Sequence, residues 1–278
     1  MMELVIALVS GLCIGSFLNV CIARIPMDES VVSPRSRCPR CRRLIAWYDN
    51  VPILSYLWLG ARCRGCRAPI SRRYPAVEAA TGVVSVLLVV EYGLTPAWGI
   101  YLLFAASMIV LVLIDLDHRI LPDVITLNGI WIGIAASLYL APPSALAVRF
   151  FSLVGADVDS PRLVALAGSI FGLVFGGGLL WAVREAFFRL RGVEGMGFGD
   201  VKMMAMVGAF LGLPLTLLTI MLGSVAGSVL GLAFIRFSGR DRAYELPFGT
   251  FLGVGAVIAV LYGNDLLRYY MDNVFPVT

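Results

Sequence analysis

Long apolar stretches separated by short polar or Gly- and Pro-marked breaks dominate the chain. A bilayer core about 30 Å thick needs roughly 20 apolar residues at about 1.5 Å of rise each. Eight stretches approach that length: 2–24, 75–92, 95–114, 124–141, 163–188, 200–212, 214–236 and 246–263. The sixth is short, so it has to be tilted, met by a thinned bilayer or sheltered by its neighbours. The longest polar interruption is 25–74. The pattern predicts an all-α polytopic membrane protein with about eight transmembrane helices. We divide it into a first helix over 1–24, a loop domain over 25–74 and a membrane-embedded domain over 75–278. There is no internal repeat, which counts against a transporter built from inverted repeats.

Composition narrows the class. Of the 278 residues, 59% are AVILMFWYC and 14% are charged, against roughly 25% charged in soluble domains, and the mean hydropathy is +0.88. A soluble enzyme, an extracellular disulfide scaffold and a disordered regulator are excluded. Residues 2–23 are longer than the apolar core of a signal peptide. They carry only Glu3 as a charge and are followed by no small-x-small cleavage site, so a retained helix is expected.

The net charge of +4 matters less than its placement, since 11 of the 22 Lys and Arg lie between Arg24 and Arg73. With eight alternating spans the same side receives Arg119, Arg184, Arg189, Arg191, Lys202, Arg236, Arg240 and Arg242. That side then holds 19, and Arg149, Arg162 and Arg268 remain for the other. The bias places the 25–74 loop in the cytoplasm. The same bias, with attraction to anionic lipid headgroups, accounts for the arginines without a nucleic-acid partner.

Within that loop, Cys38-Pro-Arg-Cys41 and Cys63-Arg-Gly-Cys66 are separated by 21 residues. Two Cys-x-x-Cys turns at such a separation can set four thiolates around a tetrahedral Zn²⁺. A reducing cytoplasm disfavours disulfides, and a loop of this size has too little core to fold unaided. Plain reduced cysteines or a redox pair are the alternatives. Cys13 and Cys21, inside the first span, read as small buried apolar residues.

Acids at a membrane edge are functional candidates because desolvating them is costly. Asp115 lies in Asp115-Leu116-Asp117-His118-Arg119, closing the third span, and Asp200 lies in Gly197-Phe198-Gly199-Asp200-Val201-Lys202, opening the sixth. Alternation puts both at the same membrane face. Two carboxyls close together in a partly dry site cannot both ionise easily and so share a proton. The ionised member can then take a proton from water while the other donates to a carbonyl. Gly197 and Gly199 would let an extended substrate approach Asp200. Equally, Asp200 reads as a helix N-cap, Asp123 as a helix start, and Lys202 as either a modulator of Asp200 or an interfacial anchor. No Gly-x-Ser-x-Gly, His-Glu-x-x-His or phosphate loop is present, and His118 is the only histidine.

Taken in order, these pieces resemble the bacterial prepilin peptidases, the Gly-x-Gly-Asp aspartic leader peptidases of type IV pili and type II secretion. The pieces are Gly15-Ser16-Phe17-Leu18-Asn19-Val20 with Arg24-Ile25-Pro26, the two Cys-x-x-Cys turns, and Ile70-Ser71-Arg72-Arg73-Tyr74-Pro75-Ala76-Val77-Glu78. They continue with Asp115-Leu116-Asp117 and Leu121-Pro122-Asp123, Gly197 to Lys202, and Pro247-Phe248-Gly249. The resemblance implies an inner-membrane endopeptidase that cleaves prepilin and pseudopilin leaders after a glycine at the cytoplasmic face, with Asp115 and Asp200 as the catalytic pair. It implies methylation of the new N-terminus from S-adenosylmethionine, zinc in the tetracysteine loop, and supporting roles for Asn19 and Glu78. For these two, a contact between helices and an acid near a helix start are the structural alternatives. Thr250 stands where many members have proline, which is expected to alter the start of the last span rather than the chemistry. Asp157 and Asp159, in the long 142–162 connection, receive no role. Two other classes stay open on the residues: a proton-coupled transporter, which predicts pH-dependent flux, and a non-enzymatic assembly factor, which would tolerate loss of the acids but not of the loop.

Overall fold

The computed structural model describes residues 1–140, 145–153, 160–193, 195–238 and 247–274. Asp157, Asp159, Arg240 and Arg242 lie outside them. The chain forms two compact units, Met1–Val110 and Leu111–Thr278. No strand is present among the described residues.

The first unit holds α1 (Met2–Arg24), the short helix α2 (Leu54–Trp58), α3 (Arg73–Tyr92) and most of α4 (Pro96–His118). Lipid tails are as apolar as leucine, so membrane helices associate through close packing and hydrogen bonds rather than apolar burial. Here α1 meets α3 at small residues. A Cβ on Gly11 would lie 2.7 Å from the Thr81 carbonyl oxygen, and one on Gly15 would lie 2.7 Å from the Glu78 Cα. The buried Ser85 hydroxyl donates to the Ala7 carbonyl at 2.7 Å, and the Trp98 indole N–H donates to the Ser85 carbonyl at 3.2 Å.

The second unit holds the end of α4, then α5 (Asp123–Leu140), α6 (Ala145–Leu153), α7 (Pro161–Arg191), α8 (Phe198–Ser238) and α9 (Phe248–Val274). Among the described residues seven helices are long and apolar enough to cross a bilayer when α8 is counted once. It is two arms. Gly212 has φ 70° and ψ 176°, a backbone state that costs little only for glycine, and Pro214 cannot donate a helical hydrogen bond. The Met204 carbonyl oxygen and Thr216 Cγ2 each lie 2.7 Å from where a Cβ on Gly176 would sit, so no more than 5.4 Å separates them. Twelve residues of unbroken helix would separate these positions by about 18 Å. The chain therefore turns back at Gly212, matching the boundary expected between the sixth and seventh spans.

The short arm, 198–211, is sheltered rather than exposed to lipid. Met203, Met204, Met206, Val207, Ala209 and Phe210 are all buried. Gly129 and Gly133 of α5 and Gly172, Gly176 and Gly177 of α7 let those helices close upon it. The Ser169 hydroxyl adds a 2.7 Å bond to the Ala209 carbonyl.

Candidate active site and metal centre

The tetracysteine loop forms two matching turns. In the first, the Cys38 N–H donates to the Arg43 carbonyl at 3.0 Å and the Arg42 N–H donates to the Cys38 carbonyl at 2.9 Å. In the second, Cys63 N–H to Ala68 and Arg67 N–H to Cys63 repeat the pattern at 2.8 and 3.0 Å. Arg42 and Arg67 share φ of 58°. All four sulfurs lie within 4.8 Å of one another, and Cys38 Sγ is 3.8 Å from Cys66 Sγ. Zn–S bonds of about 2.3 Å in a tetrahedron need sulfurs about 3.8 Å apart, so the four cysteines fit the ion. The backbone N–H groups of Cys66 and Gly65 pull the Cys63 thiol down to about 6, while burial and the neighbouring thiols push Cys66 up to about 11, as expected where several sulfurs crowd together.

Side chains outside the cysteines brace this loop. Arg64 grips Asp49 through Nε at 3.0 and 2.8 Å and Nη2 at 2.6 Å and lies over the Tyr48 ring. The hydrogen bond from Arg64 holds the Asp49 carboxyl below the usual carboxylate range. Glu78 Oε2 accepts the Ile53 N–H at 2.8 Å, where Ile53 has φ 59°, and so ties α3 to the loop. The Asn19 amide donates to the Gly15 carbonyl at 3.3 Å and to the Tyr74 carbonyl at 3.1 Å, joining α1 to α3. Asn19 and Glu78 thus each have a structural partner within the first unit.

The second unit brings two acids together at helix ends. Asp115 stands three residues before the end of α4, in its last turn, and Asp200 is the third residue of α8, inside its first turn rather than at its cap. They are 5% and 7% exposed. A Cβ on Gly249 would lie 2.9 Å from Asp200 Oδ1 and 3.1 Å from Asp115 Oδ2, so those oxygens are no more than 6.0 Å apart. The Thr250 N–H donates to Asp115 Oδ2 at 2.7 Å and the Thr250 hydroxyl donates to the same oxygen at 2.9 Å. Thr250 therefore reaches the site itself and does more than shape the start of α9.

The neighbouring motif residues hold this arrangement. Lys202 Nζ pairs with Asp123 Oδ1 at 2.5 Å and lies 5.3 Å from the centre of the Phe198 ring, with Arg184 5.8 Å from the same centre. Arg184 also donates to the Met196 carbonyl at 3.3 Å. These contacts pin the Gly197-Phe198-Gly199 entry to α8. A Cβ on Gly199 would come 2.9 Å from Leu121 Cβ, so that glycine serves helix packing. Gly197 would meet Asp200 only at 3.7 Å and leaves room beside the acid. The residues that sequence reasoning missed are Gly249 and Thr250 as parts of the site. The Pro247-Phe248-Gly249 motif was a signal that something is needed there, without saying what.

A polytopic helical membrane protein with two buried carboxyls facing each other at helix ends has the form of an intramembrane acid pair. Residues 9–92 match the bacterial peptidase A24 N-terminal domain, and residues 102–232 match the type IV leader peptidase family. The chain is 36% identical over 289 residues to a prepilin leader peptidase/N-methyltransferase of Aeromonas hydrophila, covering 95% of this chain and 92% of that one. It is 35% identical over 285 residues to the protein of the same name from Pseudomonas aeruginosa, at 94% and 91% coverage. It is 41% identical over 234 residues to that of Myxococcus xanthus, at 84% and 63%. No solved structure matches the chain. The chain belongs to the type IV leader peptidase family.

Proposed function

We propose that this protein cleaves the leaders of type IV prepilins and pseudopilins after a glycine, using Asp115 and Asp200, and then methylates the new N-terminus. The observation that carries the reading is the approach of two buried carboxyls to within 6.0 Å across Gly249. Ordinary packing does not bring two acids into one dry site, because their mutual repulsion and desolvation both oppose it. With one proton between them, the pair can take a proton from water and give one to the scissile carbonyl. Activity should then be bell-shaped in pH. The Lys and Arg bias supports an inner-membrane orientation with the 25–74 loop and both aspartates facing the cytoplasm.

Residues 25–74 act as a zinc-stapled domain in this reading, with Cys38, Cys41, Cys63 and Cys66 as ligands. The zinc supplies folding energy there and no catalysis. S-adenosylmethionine would supply the methyl group. A cleft of about 380 Å³ between α1 and this loop has the size of a small-molecule site. Phe17 and Trp47 line it and offer aromatic faces for an adenine. Arg35 offers a cation for a carboxylate, Ser16 and Asn50 offer polar atoms for a ribose, and Arg24 shapes the wall by donating to the Ser30 and Pro34 carbonyls, both at 2.8 Å.

The test is cleavage of a purified prepilin by the full chain in liposomes. Wild type should cleave, while Asp115→Asn and Asp200→Asn, folded to the same melting temperature, should not. Cleavage surviving in both variants would falsify the pair. Labelled S-adenosylmethionine added to the wild-type reaction should label the mature N-terminus, and equilibrium binding of the same molecule should weaken in Trp47→Ala.

A further inference from the structure

The two aspartates do not have equivalent surroundings. Asp115 Oδ2 receives two hydrogen bonds from one residue, the backbone N–H and the hydroxyl of Thr250, at 2.7 and 2.9 Å. That N–H belongs to the first turn of α9, where a backbone donor has no partner within its own helix. The positive end of that helix therefore also bears on Asp115. Asp200, buried to a similar degree, has the Gly197 backbone N–H near it and no side-chain hydroxyl counterpart to Thr250 among the described residues. Donors stabilise the charged form of a carboxyl. The charged groups facing Asp115 are Asp200 from α8 and, on its own helix, Arg119 one turn further on; α9 presents the uncharged Thr250.

We infer that Thr250 is a positioning residue that holds Asp115 as the ionised member of the pair and leaves the shared proton on Asp200. This rests on the reading of Asp115 and Asp200 as the catalytic pair, and it assigns their roles. Asp115 takes a proton from water as the water oxygen bonds to the scissile carbonyl carbon. The carbonyl electron pair moves onto its oxygen, which takes the proton from Asp200. When the C–N bond breaks, the departing nitrogen takes the proton now on Asp115, and the new carboxyl group re-forms its C=O as Asp200 regains its proton. Both acids end as they began, with one water consumed.

The Thr250 hydroxyl also lies 3.4 Å from the Val112 carbonyl, so a purely structural role would be felt as lost stability alone. The experiment separates the two. Initial rates of prepilin cleavage in liposomes are measured across pH for wild type, Thr250→Val, Thr250→Ala and Thr250→Ser, with melting temperatures recorded. Losing a donor to the ionised acid makes the pair's first deprotonation harder. The acidic limb should therefore move to higher pH by about one unit in Thr250→Val and Thr250→Ala, with kcat down roughly tenfold near that limb and KM little changed. Thr250→Ser should restore the wild-type limb. An unmoved limb in whichever of the Val and Ala variants folds, with Asp115→Asn and Asp200→Asn inactive, overturns the role of Thr250 and leaves the pair standing. Active Asp→Asn variants overturn the pair itself.

Discussion

The two candidate centres of this protein are built by opposite means. The tetracysteine loop is polar, largely exposed and assembled by two local turns, each closing its own hydrogen bonds within six residues. The aspartate pair is buried and assembled from three helices distant in sequence, with α4, α8 and α9 contributing Asp115, Asp200 and Thr250. A local centre tolerates changes elsewhere, and in the zinc-stapled reading it depends on a metal, because its own core is too small. A tertiary centre needs no metal, yet one added methyl group at the right place can open it.

The contrast can be broken first at the acids. Either Asp→Asn substitution should lower leader cleavage by about a thousandfold or more, as happens when one member of a catalytic unit is removed, while zinc content stays unchanged. Gly249→Ala comes next. Its Cβ would press on Asp200 Oδ1, Asp115 Oδ2 and Leu121 Cδ1, at 2.9, 3.1 and 3.0 Å. Cleavage should fall about 10- to 100-fold through displacement of the pair. An undiminished rate with an intact melting transition would show that the carboxyls do not need this approach.

At the other centre, Cys38→Ser with Cys41→Ser should abolish the binding of about one zinc per chain expected of a single tetrathiolate site. Limited proteolysis should then cut within 25–74 while α7 to α9 stay protected. Equal zinc in wild type and variant would refute the metal site. The smallest effect is expected at Asp49. Because Arg64 holds this carboxyl below its usual range, the interaction stabilises the loop above the unfolded carboxylate range. That stability is lost as pH falls through the folded value. Asp49→Asn should therefore lower the loop's melting temperature slightly at neutral pH and not at strongly acidic pH. A uniform loss at all pH values would point to packing instead.

Much of this was legible in the chain because the signals are local. Apolar length placed most spans to within a few residues, as with 2–24 against Met2–Arg24 and 124–141 against Asp123–Leu140. The last, expected over 246–263, is Phe248–Val274, because Asn264, Asp265 and Arg268 end the apolar run without ending the helix. The Cys-x-x-Cys spacing anticipated the cluster, since a four-residue turn constrains its two sulfurs whatever surrounds it. Alternation of spans brought Asp115 and Asp200 to one membrane level. It could not say how near they come, since that depends on the packing of α9 over both. Glu78 shows the same limit: its acid is plain in the sequence, but its acceptor role for Ile53 depends on where the loop lies.

Local signals in the chain were enough for the class of protein, its long apolar stretches and a four-cysteine set with metal-binding spacing, because hydropathy and short-range turn chemistry act over tens of residues or fewer. Tertiary structure decided three things: that the short span 198–211 is shielded by glycine faces of α5 and α7, that Gly249 leaves the space in which two carboxyls meet, and that Thr250 donates to only one of them. Each depends on atoms from helices far apart in the chain closing to within about 3 Å, a distance set by packing and invisible to any single stretch of sequence.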